Sequence, residues 1–288
     1  MGAHTHIEWT DHTFNPWEGC TKVSPGCTHC YAESRNQRYS RGANWGPGAP
    51  RRRTSANNWN EPIRWNKKAE EASRLSYGTA PRPRVFCASL ADIFDIEVPD
   101  QWRMDMWALI EKCPWLDWQL LTKRPQYVEQ LVPMAWLSGH WPANVWLGTT
   151  VEDQRRADER IPILLTLPAP VRFLSCEPLL TALDVNLVLR SGSIHWVICG
   201  GESGPQARPM DPTWARGLRD QCQSAGVPFL FKQWGEYVDN DNMPSGIEVG
   251  EDCSFQMFGD NPVWRIGKVA AGRELDGVEW SQFPKEVA

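Results

Sequence analysis

Short apolar runs recur along the chain, each followed by polar residues and then by a stretch with helical spacing. The runs are residues 84–90, 118–122, 145–150, 171–175, 196–199 and 229–232, rich in Val, Ile, Leu and Phe. They are mostly continuous rather than alternating, which predicts strands buried on both faces, as in a parallel sheet covered by helices. Residues 100–112, 154–165 and 211–225 read as helices between them. The first carries Trp102, Met106, Leu109 and Ile110 with Asp100 as N-cap. The third has Asp211 as cap and Pro212 at its first position. An initial strand at 7–9 or 13–15 would bring the N-terminal segment into the same sheet. Alternating strand and helix then predicts an α/β fold, a partial or complete (β/α) barrel of six or seven parallel strands. The barrel takes residues 1–236, with 31–84 as a basic insert. Residues 237–288 hold Asp, Asn, Gly and Pro clusters and strand-like pieces at 263–266 and 279–280. They read as a small C-terminal appendage packed on the barrel.

Nearly every predicted strand ends in polar residues. Ser89 and Asp92 follow one, then Thr122 and Lys123, then Thr149, Thr150 and Glu152. Ser175 and Glu177, Glu202 and Ser203, and Lys232 and Gln233 complete the set. Ligands of α/β barrels sit at the carboxyl ends of the strands, so this rim is the expected site. Polar residues also simply begin loops, and the pattern alone does not separate the two readings.

The chain has 288 residues, enough for one large barrel or two small domains. Its 41% hydrophobic content suffices for a sizeable core. No apolar run approaches the roughly 18 residues of a membrane span. Residues 1–10 are polar and mixed, unlike a secretory signal or a transit peptide, so a cytoplasmic location is expected. The 9 cysteines are odd in number and scattered, unlike a secreted disulfide framework. A net charge of -5 argues against wholesale nucleic-acid binding, but the distribution is uneven. Residues 31–84 carry 12 Lys and Arg against 4 Asp and Glu, a charge of +8, and the remainder carries -13.

The most informative stretch is residues 15–32, NPWEGCTKVSPGCTHCYA, with Cys20, Cys27 and Cys30 spaced C-x6-C-x2-C. Three close thiolates can cap three irons of a [4Fe–4S] cube and leave the fourth open. Gly19, Pro25 and Gly26 permit the tight turns of such a loop. A zinc site completed by His29 or His12 is the alternative, although His29 lies between two of the thiols. Cys87, Cys176 and Cys199 sit in apolar strands as core residues, and Cys113, Cys222 and Cys253 show no usable pattern.

At this loop the chain resembles the radical S-adenosylmethionine superfamily, whose usual spacing is C-x3-C-x2-C; here the first gap is longer. That superfamily favours an aromatic residue before the third cysteine, and here His29 occupies that place with Tyr31 after it. The chain resembles more closely a phage and bacterial three-cysteine-motif family of unknown function, the phage Gp37/Gp68 type. The matching stretches run through FCASLADIFDIEVPD, LLTKRP, NVWLGTTVEDQ, RFLSCEPLL, VICGGESGPQARPM and PFLFKQWGE. The resemblance implies a [4Fe–4S] cluster on Cys20, Cys27 and Cys30, S-adenosylmethionine on the open iron, and a 5′-deoxyadenosyl radical that abstracts hydrogen from a substrate. It also implies an electron donor such as flavodoxin or ferredoxin. Ser89 and Asp92 are the implied partners of the methionine ammonium, and Thr149 and Glu152 of the ribose. Glu177 and Lys123 are candidates for the carboxylate or the substrate. Glu202, in the Gly-rich stretch 200–204, is a candidate contact to substrate or adenosine.

Arg51, Arg52 and Arg53 lie near Asn57, Asn58, Trp59 and Trp65, an interleaving that suits a phosphate backbone and stacked bases. A solvated charged insert is the other reading. The family's phage setting implies a modified or damaged pyrimidine in phage or bacterial DNA as substrate, acted on by an isomerase or lyase. The bacterial host cytoplasm would be the location if the chain is phage-encoded. A zinc-stabilised, non-catalytic nucleic-acid-binding protein is the alternative from another class, and it leaves the polar rim unexplained.

Overall fold

The computed structural model describes residues 5, 7–247, 249–250 and 253–284. Seven parallel strands follow one another in sequence order across a single open sheet, curled into a half-barrel. They are β1 (His12–Thr13), β2 (Arg84–Cys87), β3 (Asp117–Thr122), β4 (Val145–Thr150), β5 (Val171–Cys176), β6 (Trp196–Gly200) and β7 (Phe229–Gln233). The six runs read from hydrophobicity all appear, and the initial strand, His12–Thr13, overlaps the second of the two candidates at Thr13 alone.

Residues alternate between two cores. Leu147, Leu174, Val197 and Phe229 join the large core beneath the helices. Trp146, Phe173, Trp196 and Leu230 join a smaller, aromatic core on the concave face with Trp9 and Phe86. Both faces are therefore apolar, which is why the strands read as continuous runs. Gly148 belongs to the concave parity. A Cβ there would lie 2.4 Å from the Phe173 ring, so only glycine leaves room for that ring.

The covering helices include α1 (Tyr31–Ser40), α2 (Ala56–Leu75), α3 (Asp100–Lys112), α4 (Gln154–Thr166), α5 (Asn186–Arg190) and α6 (Pro212–Ala225). Asp211 caps α6 through the Thr213 N–H at 2.8 Å, with Pro212 in the first turn. Asp100 does not cap α3 as expected. Pro99 holds that place, and Asp100 is the first helical residue, paired with Arg103 at 2.9 Å. The helix α2 was not legible, because its buried stripe is Asn58, Pro62, Trp65, Ala69 and Ser73, mostly polar or small.

Within the predicted basic insert, most arginines have partners. Arg52 and Arg35 pair with Glu18, Arg53 with Asp105, Arg82 with Asp117 and Arg84 with Asp11. The Arg51 side chain is wholly buried, so it cannot meet a phosphate backbone as the sequence suggested.

Beyond the barrel, β8 (Tyr237–Asp239), β9 (Phe255–Phe258) and β10 (Asn261–Arg265) form an antiparallel sheet. They are followed by a one-turn helix α7 (Lys268–Ala271) and a small pair, β11 (Glu274–Leu275) and β12 (Val278–Glu279). This segment touches the barrel through Phe231 N–H to Trp280 O at 3.0 Å and Arg216 to Asp276 at 2.8 Å. Residues 248, 251, 252 and 285–288 of the expected appendage, and 1–4 and 6 of the expected barrel, lie outside the described residues. Among the described residues no helix is long and apolar enough to cross a membrane.

Candidate metal centre

The cysteine loop leaves β1 and passes over the carboxyl ends of the strands. Gly19 precedes the first thiol at φ +112°, with its N–H donating to Leu90 O at 3.1 Å. Its Cβ would fall 2.3 Å from Asn44 O, so both the conformation and the close approach require glycine. Cys27 ends a 3-10 turn, Pro25–Cys27, and Cys30 stands at the N-cap of α1. All three thiols line one cavity of about 390 Å³, a size suited to a cofactor or small ligand.

The loop is pinned from below. The Gly26 N–H donates to Glu152 Oε1 at 3.2 Å, and Glu152 pairs with Arg160 at 2.7 Å. Burial favours the neutral carboxyl of Glu152, but the Arg160 and Lys123 charges outweigh it and hold its pKa below the ordinary value. Arg124 donates to Cys20 Sγ at 3.4 Å and to Thr21 O at 2.7 Å, and pairs with Asp92 at 3.0 Å. Burial nonetheless pushes the Cys20 thiol up to about 11, and it also raises Cys30. Burial thus favours the protonated thiols, and metal loading would release protons.

Among the described residues, no three His, Cys, Asp or Glu side chains converge closely enough to hold a single metal ion. Neither expected fourth zinc ligand joins the thiols. The His12 ring stacks on Trp65 at 4.3 Å, and His29 Nδ1 lies 3.1 Å from Glu202. The three cysteines nonetheless line one cavity, and thiolates are the donor set an iron–sulfur cluster takes.

Four of the seven residues expected at the cofactor or substrate, Ser89, Asp92, Lys123 and Glu177, share this cavity with the thiols. Ser89 exchanges hydrogen bonds with Asn15, and its carbonyl accepts from Tyr31 at 2.5 Å. Asp92 is already satisfied. Its two oxygens accept from Phe94 N, Thr122 Oγ1, Lys123 N and Arg124, so it shapes the rim rather than offering a free carboxylate. Glu177 pairs with Lys232 at 2.7 Å.

Thr149, Glu152 and Glu202 stand elsewhere. Thr149 shares the outer parity of Leu147 and donates to Thr122 O at 3.0 Å. Its neighbour Thr150 lines the cavity instead, a one-residue shift that swaps faces in a strand. Glu152 lies beneath the loop, as above. Glu202 is held by Arg208, at 2.6 Å, and by His29. Sequence reasoning missed Trp9, Lys22, Trp45 and Lys268, which also line the cavity. Only Lys22 had a signal, its position inside the cysteine loop.

A family model described as protein of unknown function (DUF5131) matches residues 4–284. No match is found among curated proteins. Among solved structures, the chain is similar to a mutant spore photoproduct lyase with bound AdoMet and dinucleoside spore photoproduct. The identity is 12% and the TM-score 0.41, covering 89% of this chain and 69% of that one.

Proposed function

The chain belongs to the DUF5131 family, and we propose that it is a radical S-adenosylmethionine enzyme with a [4Fe–4S] cluster on Cys20, Cys27 and Cys30. Its substrate in this reading is a modified or damaged pyrimidine in phage or bacterial DNA, and its reaction an isomerisation or lyase step. It works in a reducing cytoplasm, the bacterial host's if phage-encoded, and takes its electron from a small donor such as flavodoxin or ferredoxin. The observation that carries the reading is that the three thiols of one short loop line a single cavity at the carboxyl ends of a parallel half-barrel. A bound cluster and S-adenosylmethionine would supply radical hydrogen-abstraction chemistry in this cavity.

The chain's own residues bind, orient and shield. Arg124 places positive charge beside Cys20, favouring a thiolate there, while Asp92 fixes the guanidinium. The Lys123 ammonium reaches Thr150 Oγ1 at 3.3 Å, which leaves it donors for the methionine carboxylate. Thr150 and Ser175 are register partners on β4 and β5, and their hydroxyls suit a ribose. Trp9, Phe86 and Leu121 make an apolar floor that limits water.

Anaerobic reconstitution tests this directly. The protein should be brown with about four irons per chain. Cys20→Ala, Cys27→Ala or Cys30→Ala should each strip most of the iron, and Cys87→Ala should retain it. Reduced protein should form 5′-deoxyadenosine from S-adenosylmethionine. Stoichiometric zinc in place of iron, or iron indifferent to the three cysteines, would sink the proposal.

A further inference from the structure

The cavity holds more positive than negative side chains. Lys22, Lys123, Arg124, Lys232 and Lys268 line it, against Glu8, Asp92 and Glu177. Most of these charges are matched: Arg124 by Asp92, Lys232 by Glu177 and Lys22 by Glu33. Lys123 has Thr150 and belongs to the cofactor wall just described. Lys268 forms no ion pair among the described residues, and it comes from outside the barrel, on α7.

The segment that delivers Lys268 is firmly tied to the rim. The Ile266 and Gly267 N–H groups both donate to Glu236 O at 3.1 Å, and Ala271 is buried. The Glu236 N–H donates to Glu202 O at 3.1 Å, and its carboxylate accepts the Gly204 N–H at 2.9 Å. Arg265 donates to Pro205 O at 2.8 Å. One hydrogen-bonded unit thus carries both Lys268 and the rim loop with Ser203, another cavity residue. A long side chain whose ammonium has no ion-pair partner among the described residues, on an anchored backbone, at a cavity with apolar and aromatic walls, is suited to the charged end of a mostly apolar ligand.

We propose that the substrate of this cavity is an organic anion whose phosphate or carboxylate is held by Lys268, with Ser203 beside it on the same unit. Its apolar or flat body packs toward Trp45 and Phe86, which line the cavity. The C-terminal segment is then the element that selects the substrate. This rests on the radical reading only in treating the cavity as the active site.

The test uses the reconstituted protein and four probes measured by calorimetry: thymidine 5′-monophosphate, thymidine, phenyl phosphate and benzoate. Lys268→Gln should weaken binding of an anionic probe about fivefold, the scale of one exposed charge contact. Lys268→Arg should recover most of it, and thymidine, which lacks the anion, should be unaffected. Lys67→Gln, on the exposed face of α2, should change nothing. A loss confined to the phosphate probes assigns a phosphate, and one confined to benzoate a carboxylate. Iron content and S-adenosylmethionine affinity should be unchanged in Lys268→Gln. The inference is overturned if the unsubstituted protein binds no anionic probe or if Lys268→Gln leaves every probe unchanged. A fall in S-adenosylmethionine affinity instead of probe affinity overturns it too. A protein that takes up neither iron nor S-adenosylmethionine, yet loses phenyl phosphate affinity with Lys268→Gln, would sink the radical reading alone.

Discussion

Replacing Arg51 separates a structural arginine from one that binds nucleic acid. Its guanidinium is wholly buried and reaches Asp95 at 2.8 Å, Glu97 at 2.8 Å and Thr21 Oγ1 at 2.8 Å. It also donates to Ala49 O at 2.9 Å and Gly46 O at 3.1 Å. Arg51→Ala leaves Asp95, itself buried, without its counter-charge. Removing one partner of a buried pair costs about 3–5 kcal/mol, a large part of a typical stability of about 5–15 kcal/mol. With a urea slope near ~3 kcal/mol/M, the midpoint should fall by about 1–1.7 M. Arg51→Lys should lie between the two, since an ammonium keeps the charge but cannot reproduce the planar fork. If the protein binds DNA, the folded Arg51→Ala protein should keep the parent's salt dependence, because a buried arginine releases no counterions. A variant with parental stability and a salt slope reduced by about one would refute this account and restore the arginine to the nucleic-acid interface.

Other consequences follow from the same contacts. Because Glu152 has a depressed pKa, its contribution is present above its ordinary value of 4.5 and is lost as pH falls through the lower folded value. The stability gap between wild type and Glu152→Gln, about 1–3 kcal/mol at pH 7, should therefore shrink on acidification; a gap constant from about pH 7 to 3 contradicts the pairing with Arg160. Thr149→Val should cost about 1 kcal/mol in thermal unfolding through the lost bond to Thr122 O, with cofactor affinity intact. Thr150→Val should do the reverse, and equal effects on cofactor binding would count against the assigned strand parity. Gly148→Ala drives a methyl into the Phe173 ring and should destabilise by about 1–3 kcal/mol. Adding Phe173→Leu should recover part of that loss in the melting temperature, and no recovery would mean the strain lies elsewhere.

The half-barrel was legible because a parallel sheet with two buried faces leaves continuous apolar runs, and six of the seven strands carried them. The cysteine loop was equally visible, since its chemistry is local: three thiols and their turn formers lie within a dozen residues. Charge was visible only as a total. Which basic residues of 31–84 are paired was not visible: Arg35, Arg51 and Arg53 meet Glu18, Asp95, Glu97 and Asp105, acids from elsewhere in the chain. Whether a charge is free depends on what packs against it, and that is a property of the fold.

The residues chosen for the rim divide along the same line. Position after a strand located Ser89, Asp92 and Glu177 near the cavity, because a parallel sheet places every carboxyl end on one side. Which of two neighbours faces inward depends on register, so Thr150 rather than Thr149 is there. Lys268 carried no local signal at all: it enters the cavity only because Glu236 and Arg265 fasten a distant segment to the rim loop. Periodicity and the cysteine spacing act over a few residues and can be read along the chain. The free charges, the inward-facing hydroxyls and the remote lysine are set by contacts between segments far apart in sequence, which only the folded chain brings together.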